Sequence, residues 1–272
     1  MVDIVIVSYN CRAVLDACLS SLAQAPPRRP HRIVVVDNAS SDGTVAHLHA
    51  RWPAVHAIAL PRNLGFAAAN NAGLRASNGS LALLLNPDTL VDAGSIDGLC
   101  DALEADPRAA IAGPRLVDGT GRAELSFGSM MAPLAELRQK LLVAGNDRGI
   151  APVVRAVDRM TRTVRQPDWV SGACLLIRRD ALERAGFLDE RFFMYTEDID
   201  LCAAVRAQGK RVLFVPTVEV VHLRGRSAAT APRATRALYR RSHVAFYEKH
   251  HPRWAALLKV YLRAKGEWPP SG

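Results

Sequence analysis

What the chain lacks excludes several classes of protein. Its longest purely aliphatic runs, Ile33–Val36 and Leu81–Leu85, fall far short of the roughly 20 residues a membrane-spanning helix needs. It has no Gly-x-Gly-x-x-Gly, so the usual dinucleotide-binding turn of an oxidoreductase is missing. Ser8-Tyr9-Asn10-Cys11, after the first apolar run, contains no glycine, whereas a sugar-phosphate nucleotidyltransferase would want a basic, glycine-rich loop there. There is no Cys-x-x-Cys pair: Cys11, Cys18, Cys100, Cys174 and Cys202 are scattered and odd in number, which argues against a disulfide framework and structural zinc. No secretory leader is legible, because Val2–Val7 holds Asp3 and runs straight into Ser8-Tyr9-Asn10. The expectation is a reduced, cytoplasmic globular chain, and 272 residues, 49% of them hydrophobic, are ample for one sizeable core.

Charge is present but unevenly placed. Residues 1–222 carry 24 Lys/Arg and 24 Asp/Glu, whereas residues 223–272 carry 11 Lys/Arg against Glu248 and Glu267, so the net +9 belongs to the tail. Trp254, Leu257, Leu258, Tyr261 and Leu262 fall on one helical stripe there, with Arg253, Lys259, Arg263 and Lys265 around it. Such a helix either lies on an anionic leaflet or packs on the body of the protein. A nucleic-acid partner would rest on this charge alone and is not expected.

The first half alternates strand and helix signals. Apolar runs at Asp3–Val7, Ile33–Val36, Val55–Leu60 and Leu81–Leu85 are divided by helical patterns at Ala13–Leu22, Thr44–Arg51 and Ala67–Ala76. This predicts an α/β fold with a mixed, mostly parallel sheet flanked by helices on both faces. Ligands of such sheets bind at the carboxyl ends of the strands, where Ser8-Tyr9-Asn10, Asp37 and Asn86-Pro87-Asp88 fall. Further on, Arg115–Met131 reads as a loop or hairpin and Pro133–Val143 as a helix. Pro152–Arg165 has Val153, Val157, Met160 and Val164 on one helical face. Trp169–Ile177 reads as a strand, Thr196–Gln208 as a helix, and Val212–Val215 and Val218–Val221 as two strands ending at His222.

The polar strand ends have two readings each. Asp88, stiffened by Pro87, could hold Mg²⁺ or Mn²⁺ on a diphosphate, yet by itself Asn86-Pro87-Asp88-Thr89 reads as a turn. Asp37 could accept from a ribose or base, or simply cap a turn. Glu197 and Asp198, after the aromatic run Phe192-Phe193-Met194-Tyr195, suit a general base raised by desolvation, or a first helical turn complementing its dipole. His222 is a metal ligand or a packed histidine.

The motifs taken in order resolve these alternatives. Ile6-Val7-Ser8-Tyr9-Asn10, Val36-Asp37-Asn38-Ala39-Ser40-Ser41-Asp42-Gly43, Asn63-Leu64-Gly65-Phe66 with Asn70-Asn71-Ala72-Gly73, and Asn86-Pro87-Asp88 come first. Trp169-Val170-Ser171-Gly172-Ala173, Gly186–Phe193, Glu197-Asp198-Ile199-Asp200-Leu201, and His222 before Arg224-Gly225-Arg226-Ser227 follow. The set resembles family 2 glycosyltransferases of GT-A fold, particularly the rhamnosyltransferase-like branch of bacterial polysaccharide assembly. The resemblance implies that Ser8, Tyr9, Asn10, Asp37 and Asn63 line a nucleotide site, helped by Asn86. It implies that Asp88 and His222 hold a divalent Mg²⁺ or Mn²⁺ and that Asp198 deprotonates an acceptor hydroxyl. Gly172 and Ala173 would lie under the donor sugar, with Trp169 and Glu197 completing the donor and acceptor pocket. Many members have Asp-x-Asp where this chain has Asn86-Pro87-Asp88; the missing charge marks the subfamily.

The expectation is therefore an inverting, metal-dependent transferase taking a sugar from a dTDP- or UDP-linked donor to a glycan or lipid-linked acceptor. Residues 1–227 would form the catalytic domain. Residues 228–272 would form a basic helical tail that, with the 152–165 helix, holds the enzyme on the inner face of the cell membrane. The alternatives are a sugar-phosphate nucleotidyltransferase and a non-catalytic nucleotide-sugar or lipid-surface binding module.

Overall fold

The computed structural model describes residues 1–223 and 232–268. The Arg224-Gly225-Arg226-Ser227 motif and the 227/228 boundary lie outside the described residues. In chain order the elements are β1 (Val2–Ser8), α1 (Arg12–Gln24), β2 (His31–Asp37), α2 (Thr44–Arg51), β3 (His56–Ala59), α3 (Phe66–Arg75), β4 (Leu81–Leu85) and β5 (Thr89–Val91). Then come α4 (Ser95–Ala105), β6 (Ala109–Val117), β7 (Phe127–Gly128), α5 (Pro133–Asp147), α6 (Ala151–Thr161), β8 (Trp169–Val170) and β9 (Cys174–Arg178). The chain closes with α7 (Arg179–Ala185), α8 (Glu197–Ala207), β10 (Arg211–His222), α9 (Pro232–His250) and α10 (Pro252–Ala264).

One eight-stranded sheet has the order β3-β2-β1-β4-β9-β6-β10-β5. β1 to β4, β6 and β10 run one way, and β9 and β5 run the other. The continuous apolar strands are explained by helices on both faces. Ile4, Ile6, Leu83 and Leu85 point to the side of α1 and α4, while the alternate residues Val5 and Leu84 meet Leu74 of α3 and Leu201 and Val205 of α8. β1, β4 and β6 are buried along their whole lengths. β7 and β8 form a small antiparallel ribbon beside the main sheet.

Several elements differ from their sequence signals. β5, α4 and β6 were not expected; in β6, Gly113-Pro114-Arg115 interrupts the apolar pattern as a loop would. The stretch read as a hairpin does turn back, with Glu124 N–H donating to Leu116 O at 2.9 Å. The expected 169–177 strand is divided at Ser171-Gly172-Ala173, where the Gly172 amide is drawn to Asp198. The two expected strands at 212–221 are one, β10, whose register against β6 shifts between Val215 and Glu219, around Pro216, which lacks an N–H. The helix at 152–165 ends at Thr161 and turns its apolar face inward: Val157 is fully buried, and Val153 and Met160 pack on the core. Val153, Val157 and Met160 are therefore not free to meet a membrane, while Val164 falls beyond the helix and is 69% exposed.

The tail packs on the body. α9 and α10 build a satellite cluster of Met131, Phe192, Phe246, Tyr247 and Ala255. Lys249 and His250 both grip Asp200 of α8, at 2.8 and 2.6 Å. Of the expected stripe on α10, Leu262 is fully buried and Leu258 packs on that cluster. Trp254, Leu257 and Tyr261 are exposed. No helix among the described residues is long and apolar enough to cross a membrane.

Far from the strand ends that hold the polar motifs, Asp3 is wholly buried. It is paired with Arg179 at 3.2 Å and with Arg32 at 3.0 Å. It also accepts from the Gly79 amide. Asp3→Ala leaves the buried Arg179 guanidinium without its carboxylate and is expected to cost about 3 to 5 kcal/mol, read as a lower urea midpoint with an unchanged slope.

Candidate active site

The carboxyl ends of β1, β2 and β4 lie side by side because these strands are parallel and in register, with Ser8 opposite Asp37 and Ile6 opposite Leu85. Asn10 adopts a left-handed backbone (φ 50°), and its side chain accepts from the Ser41 amide at 2.8 Å, locking the two strand-end loops together. Tyr9 stands exposed beside them. Asp37 spends one oxygen on the Ser40 amide at 3.0 Å, and its Oδ1 is buried with no partner. Asn86 Oδ1 is likewise buried and unpartnered. Such oxygens at a strand-end cleft suit donors from a ligand. Asn63 is committed to its own loop: its oxygen accepts from Asn38 Nδ2 and the Gly65 amide, each at 2.9 Å. The Gly65 loop presses on the Phe193 carbonyl so closely that no Cβ would fit, and its φ of +87° also favours glycine.

Asp88 and His222 come together through antiparallel pairing of β5 with β10, in which His222 faces Thr89. Asp88 Oδ1 lies 3.4 Å from His222 Nε2, and Glu124 Oε2 lies 3.2 Å from His222 Nδ1. Burial works against a charged imidazole, but the hydrogen bonds to Asp88 and Glu124 outweigh it and raise His222 to about 9. Two ligands of one octahedral Mg²⁺ or Mn²⁺ ion stand roughly 3 Å apart, so the Asp88–His222 spacing fits such an ion once the imidazole gives up its proton to the binding event. Glu124 is then the carboxylate that orients the ligating imidazole from behind. Among the described residues no group of three or more His, Cys, Asp or Glu is arranged to hold a metal. The described residues would thus supply two ligands, Asp88 and His222, to an ion whose shell is shared with phosphate and water.

Glu197 and Asp198 open α8. The turn before them is strained, with Tyr195 (φ 73°) and Thr196 (φ 66°) both left-handed. α9 braces it, with Ser242 Oγ donating to Met194 O at 2.7 Å. Asp198 Oδ2 accepts from the Gly172 amide at 2.8 Å and Oδ1 from the Ile199 amide at 2.8 Å. Burial raises Asp198, and these two amides hold it down in part. Burial, and then the neighbouring Asp198 charge, raise Glu197 well above the ordinary carboxyl range, against a smaller lowering by its own backbone amide. Its Oε2 is buried without a partner.

A cavity of about 390 Å³ joins these groups: Asn86, Trp169, Gly172, Ala173, Glu197, Asp198 and His222 all line it. Trp169 is fixed by its indole N–H on Ser129 O at 2.9 Å. A Cβ on Gly172 would stand 3.1 Å from Asp198 Cβ, so a side chain there would crowd the carboxylate. Ser8, Tyr9, Asn10, Asp37, Asn63 and Asp88 do not line this cavity and sit on the adjoining strand-end side. The sequence reading missed Glu124 and the far wall, formed by Glu136, Gln139 and Lys140 of α5 and Tyr239 of α9. Glu136 accepts from His243 at 3.0 Å, Tyr247 at 2.6 Å and Lys140 at 2.8 Å. Burial alone would raise its pKa, but these bonds bring it down to about 2. The Lys140 contact is an i,i+4 pair, but nothing local in the sequence marks the contacts of Glu136 with His243 and Tyr247, which lie 107 and 111 residues away.

Residues 3–186 match the family described as glycosyl transferase family 2. The chain belongs to that family. This glycosyltransferase is 32% identical, over 97% of its length and 89% of the relative's, to an N-acetylglucosaminyl-diphospho-decaprenol L-rhamnosyltransferase of Mycobacterium tuberculosis. It is 25% identical, over 81% of its length and 66% of the relative's, to the low-salt glycan biosynthesis hexosyltransferase Agl10 of Haloferax volcanii. Among solved structures it resembles the mannosyltransferase PcManGT of Pyrobaculum calidifontis, in complex with GDP-Man and Mn²⁺, with a TM-score of 0.60 at 20% identity over 97% of this chain and 75% of that one. It also resembles GalNAc-T7 with UDP, GalNAc and Mn²⁺, with a TM-score of 0.61 at 16% identity over 82% of this chain and 43% of that one. The fold is the GT-A fold expected from the motifs. The nucleotidyltransferase and binding-module alternatives fall with the family membership.

Glu197 sets a pH dependence whose sign follows from its raised pKa. Above the unfolded value near 4.5 the folded state holds more protons than the unfolded one, so stability falls as pH rises towards the folded value. Urea unfolding at pH 5 and pH 8 is expected to show a steeper loss for the wild type than for Glu197→Gln. Equal losses would show that Glu197 is ionised in the fold.

Proposed function

We propose that this glycosyltransferase moves a sugar, rhamnose on the strength of its mycobacterial relative, from a dTDP- or UDP-linked donor to a hydroxyl of a glycan carried on a polyprenyl diphosphate, with inversion. The observation that carries this reading is the shared cavity: Asp198 enters it from the start of α8, and Asn86 and His222 enter it from the strand ends. The donor diphosphate lies at Asp88 and His222, and the nucleotide runs along Ser8, Tyr9, Asn10, Asp37 and Asn63. Asp37 Oδ1 and Asn86 Oδ1, both buried and unpartnered, accept from the base or ribose. Asp88 and His222 would hold a divalent Mg²⁺ or Mn²⁺, which would supply positive charge to offset that building on the departing diphosphate.

Asp198 is held by the Gly172 and Ile199 amides in one rotamer and is raised by burial, which suits a general base. It takes the acceptor hydroxyl's proton as that oxygen bonds to the anomeric carbon, and the bond from that carbon to the diphosphate oxygen breaks. One displacement from the face opposite the leaving group gives inversion. Gly172 and Ala173 leave room for the donor sugar, Trp169 walls it, and Glu197, holding its proton, donates to a sugar hydroxyl.

Residues 1–227 form the transferase body in this reading, and 228–272 the basic tail that meets an anionic membrane from the cytoplasmic side. Trp254, Leu257 and Tyr261 of α10 present an exposed apolar face edged by Arg253, Lys259 and Arg263. His251 Nε2 hydrogen-bonds Met131 O at 2.8 Å, which sets the start of α10 beside the start of α5. There Leu134, Leu137 and Leu141 are 81%, 55% and 66% exposed. α5 therefore takes the part first expected of the 152–165 helix.

Screening dTDP- and UDP-sugars for metal-dependent hydrolysis tests the donor site, and Asp88→Ala is expected to abolish that activity. Asp198→Asn is expected to lower kcat for transfer by roughly 10² to 10⁴ while nucleotide affinity is kept; unchanged transfer would remove Asp198 as the base. Intact protein is expected to float with vesicles containing phosphatidylglycerol at low salt, and to be released by salt; failure to float would end the membrane assignment.

A further inference from the structure

A second cavity, of about 600 Å³, lies between α5, α6, β7 and residues 165–168. Ser129, Ala135 and Gln139 line both it and the active-site cavity, so the two adjoin. Gln139 is held in the dividing wall by its Nε2, which donates to Leu125 O and Phe127 O at 3.3 and 3.2 Å. The lining is of two kinds. Leu134, Leu142, Met160 and Phe127 are apolar, while Arg138 and Arg165 are cationic.

Neither arginine has a carboxylate partner among the described residues. Arg165 is nevertheless positioned: its Nε donates to Met160 O at 3.0 Å and its guanidinium stands 5.8 Å over the Phe127 ring. The acid of the lining, Asp168, is already committed, with one oxygen on Arg206 at 2.7 Å and the other accepting from the Met130 amide at 2.7 Å. Two guanidiniums without counter-ions beside an apolar wall suit a ligand that is both multiply anionic and greasy. Leu134, on this cavity's rim, is also the most exposed of the α5 leucines, so the rim is continuous with the face assigned to the membrane.

We propose that this cavity binds the diphosphate and first isoprenoid carbons of the lipid-linked acceptor, with Arg138 and Arg165 on the phosphates and Leu134, Leu142 and Met160 against the lipid. The inference rests on the lipid-linked acceptor proposed above. In such an acceptor the diphosphate is attached at the anomeric carbon and the attacking hydroxyl lies across the sugar ring. One sugar then bridges the two adjoining cavities, with its hydroxyl at Asp198 and its diphosphate at the arginines.

The test uses the full chain with its donor site saturated by nucleotide diphosphate and divalent cation, and farnesyl diphosphate and inorganic pyrophosphate as calorimetric probes. Farnesyl diphosphate is expected to bind more tightly than pyrophosphate; equal affinities would overturn a lipid ligand. Arg138→Ala with Arg165→Ala is expected to weaken farnesyl diphosphate on the order of tenfold or more and to leave donor hydrolysis unchanged, which also reports an intact fold. Arg138 is exposed on α5, so Arg138→Ala alone tests the site without touching a structural contact, and Arg138→Lys should recover part of the loss. Unchanged binding in the double variant, or displacement of the probe by added nucleotide, would overturn the site. Retained probe binding with no transfer to any polyprenyl-diphosphate glycan would overturn the proposed acceptor and leave the diphosphate site standing.

Discussion

The backbone amide of Asn86 donates to Ala173 O at 2.9 Å, and Asp88 O accepts from the Leu223 amide at 2.8 Å. These two bonds pin the short segment after β4 from both sides, at the point where the sheet gives way to the cleft. On one side the antiparallel pairing of β9 with β4 delivers Gly172 and Ala173. On the other the pairing of β10 with β5 delivers His222. Pro87 stiffens the link between the anchored residues, since its φ is fixed. If this segment shifted, the Asp88–His222 pair, the Gly172 amide on Asp198 and the shape of the cavity would shift together.

The second support comes from the part of the chain carrying the excess charge. α9 ties Asp200 through Lys249 and His250, ties Glu136 through His243 and Tyr247, and caps the Met194 carbonyl with Ser242. The left-handed residues Tyr195 and Thr196 are held by these contacts, and they aim Glu197 and Asp198 into the cavity. Positive side chains facing the body neutralise buried carboxylates near the site, while around the exposed face of α10 Lys259 pairs with Glu248 at 2.5 Å and Arg263 stands 4.5 Å over the Trp268 ring.

The electrostatics within the cleft divide the carboxylates by surroundings. Glu136, with three donors, stays ionised despite burial. Glu197, with no donor on its Oε2, is raised by burial and by Asp198. Asp198 lies between them, with two backbone amides partly offsetting burial. The same chemical group, a carboxyl, is thus held down or pushed up according to its burial and to how many N–H and O–H groups reach it.

The local pattern of residues by itself determined the parallel strands and the positions of their polar ends, because burial on both faces demands unbroken apolar runs and parallel strands must expose their ends on one side. The ordered motifs also carried the family and the pairing of Asp88 with His222. Other features were decided only by tertiary structure. Glu124 behind His222, the α5 and α9 wall, and the inward turn of α6 depend on partners that are distant in the chain. The stripe on α10 was legible as amphipathic, but periodicity is the same whether a helix packs on protein or lies on lipid. Only the docking of Leu258 and Leu262, with Trp254, Leu257 and Tyr261 left outside, divides that stripe in two, because which side of a helix is covered is set by its neighbours and not by its own repeat.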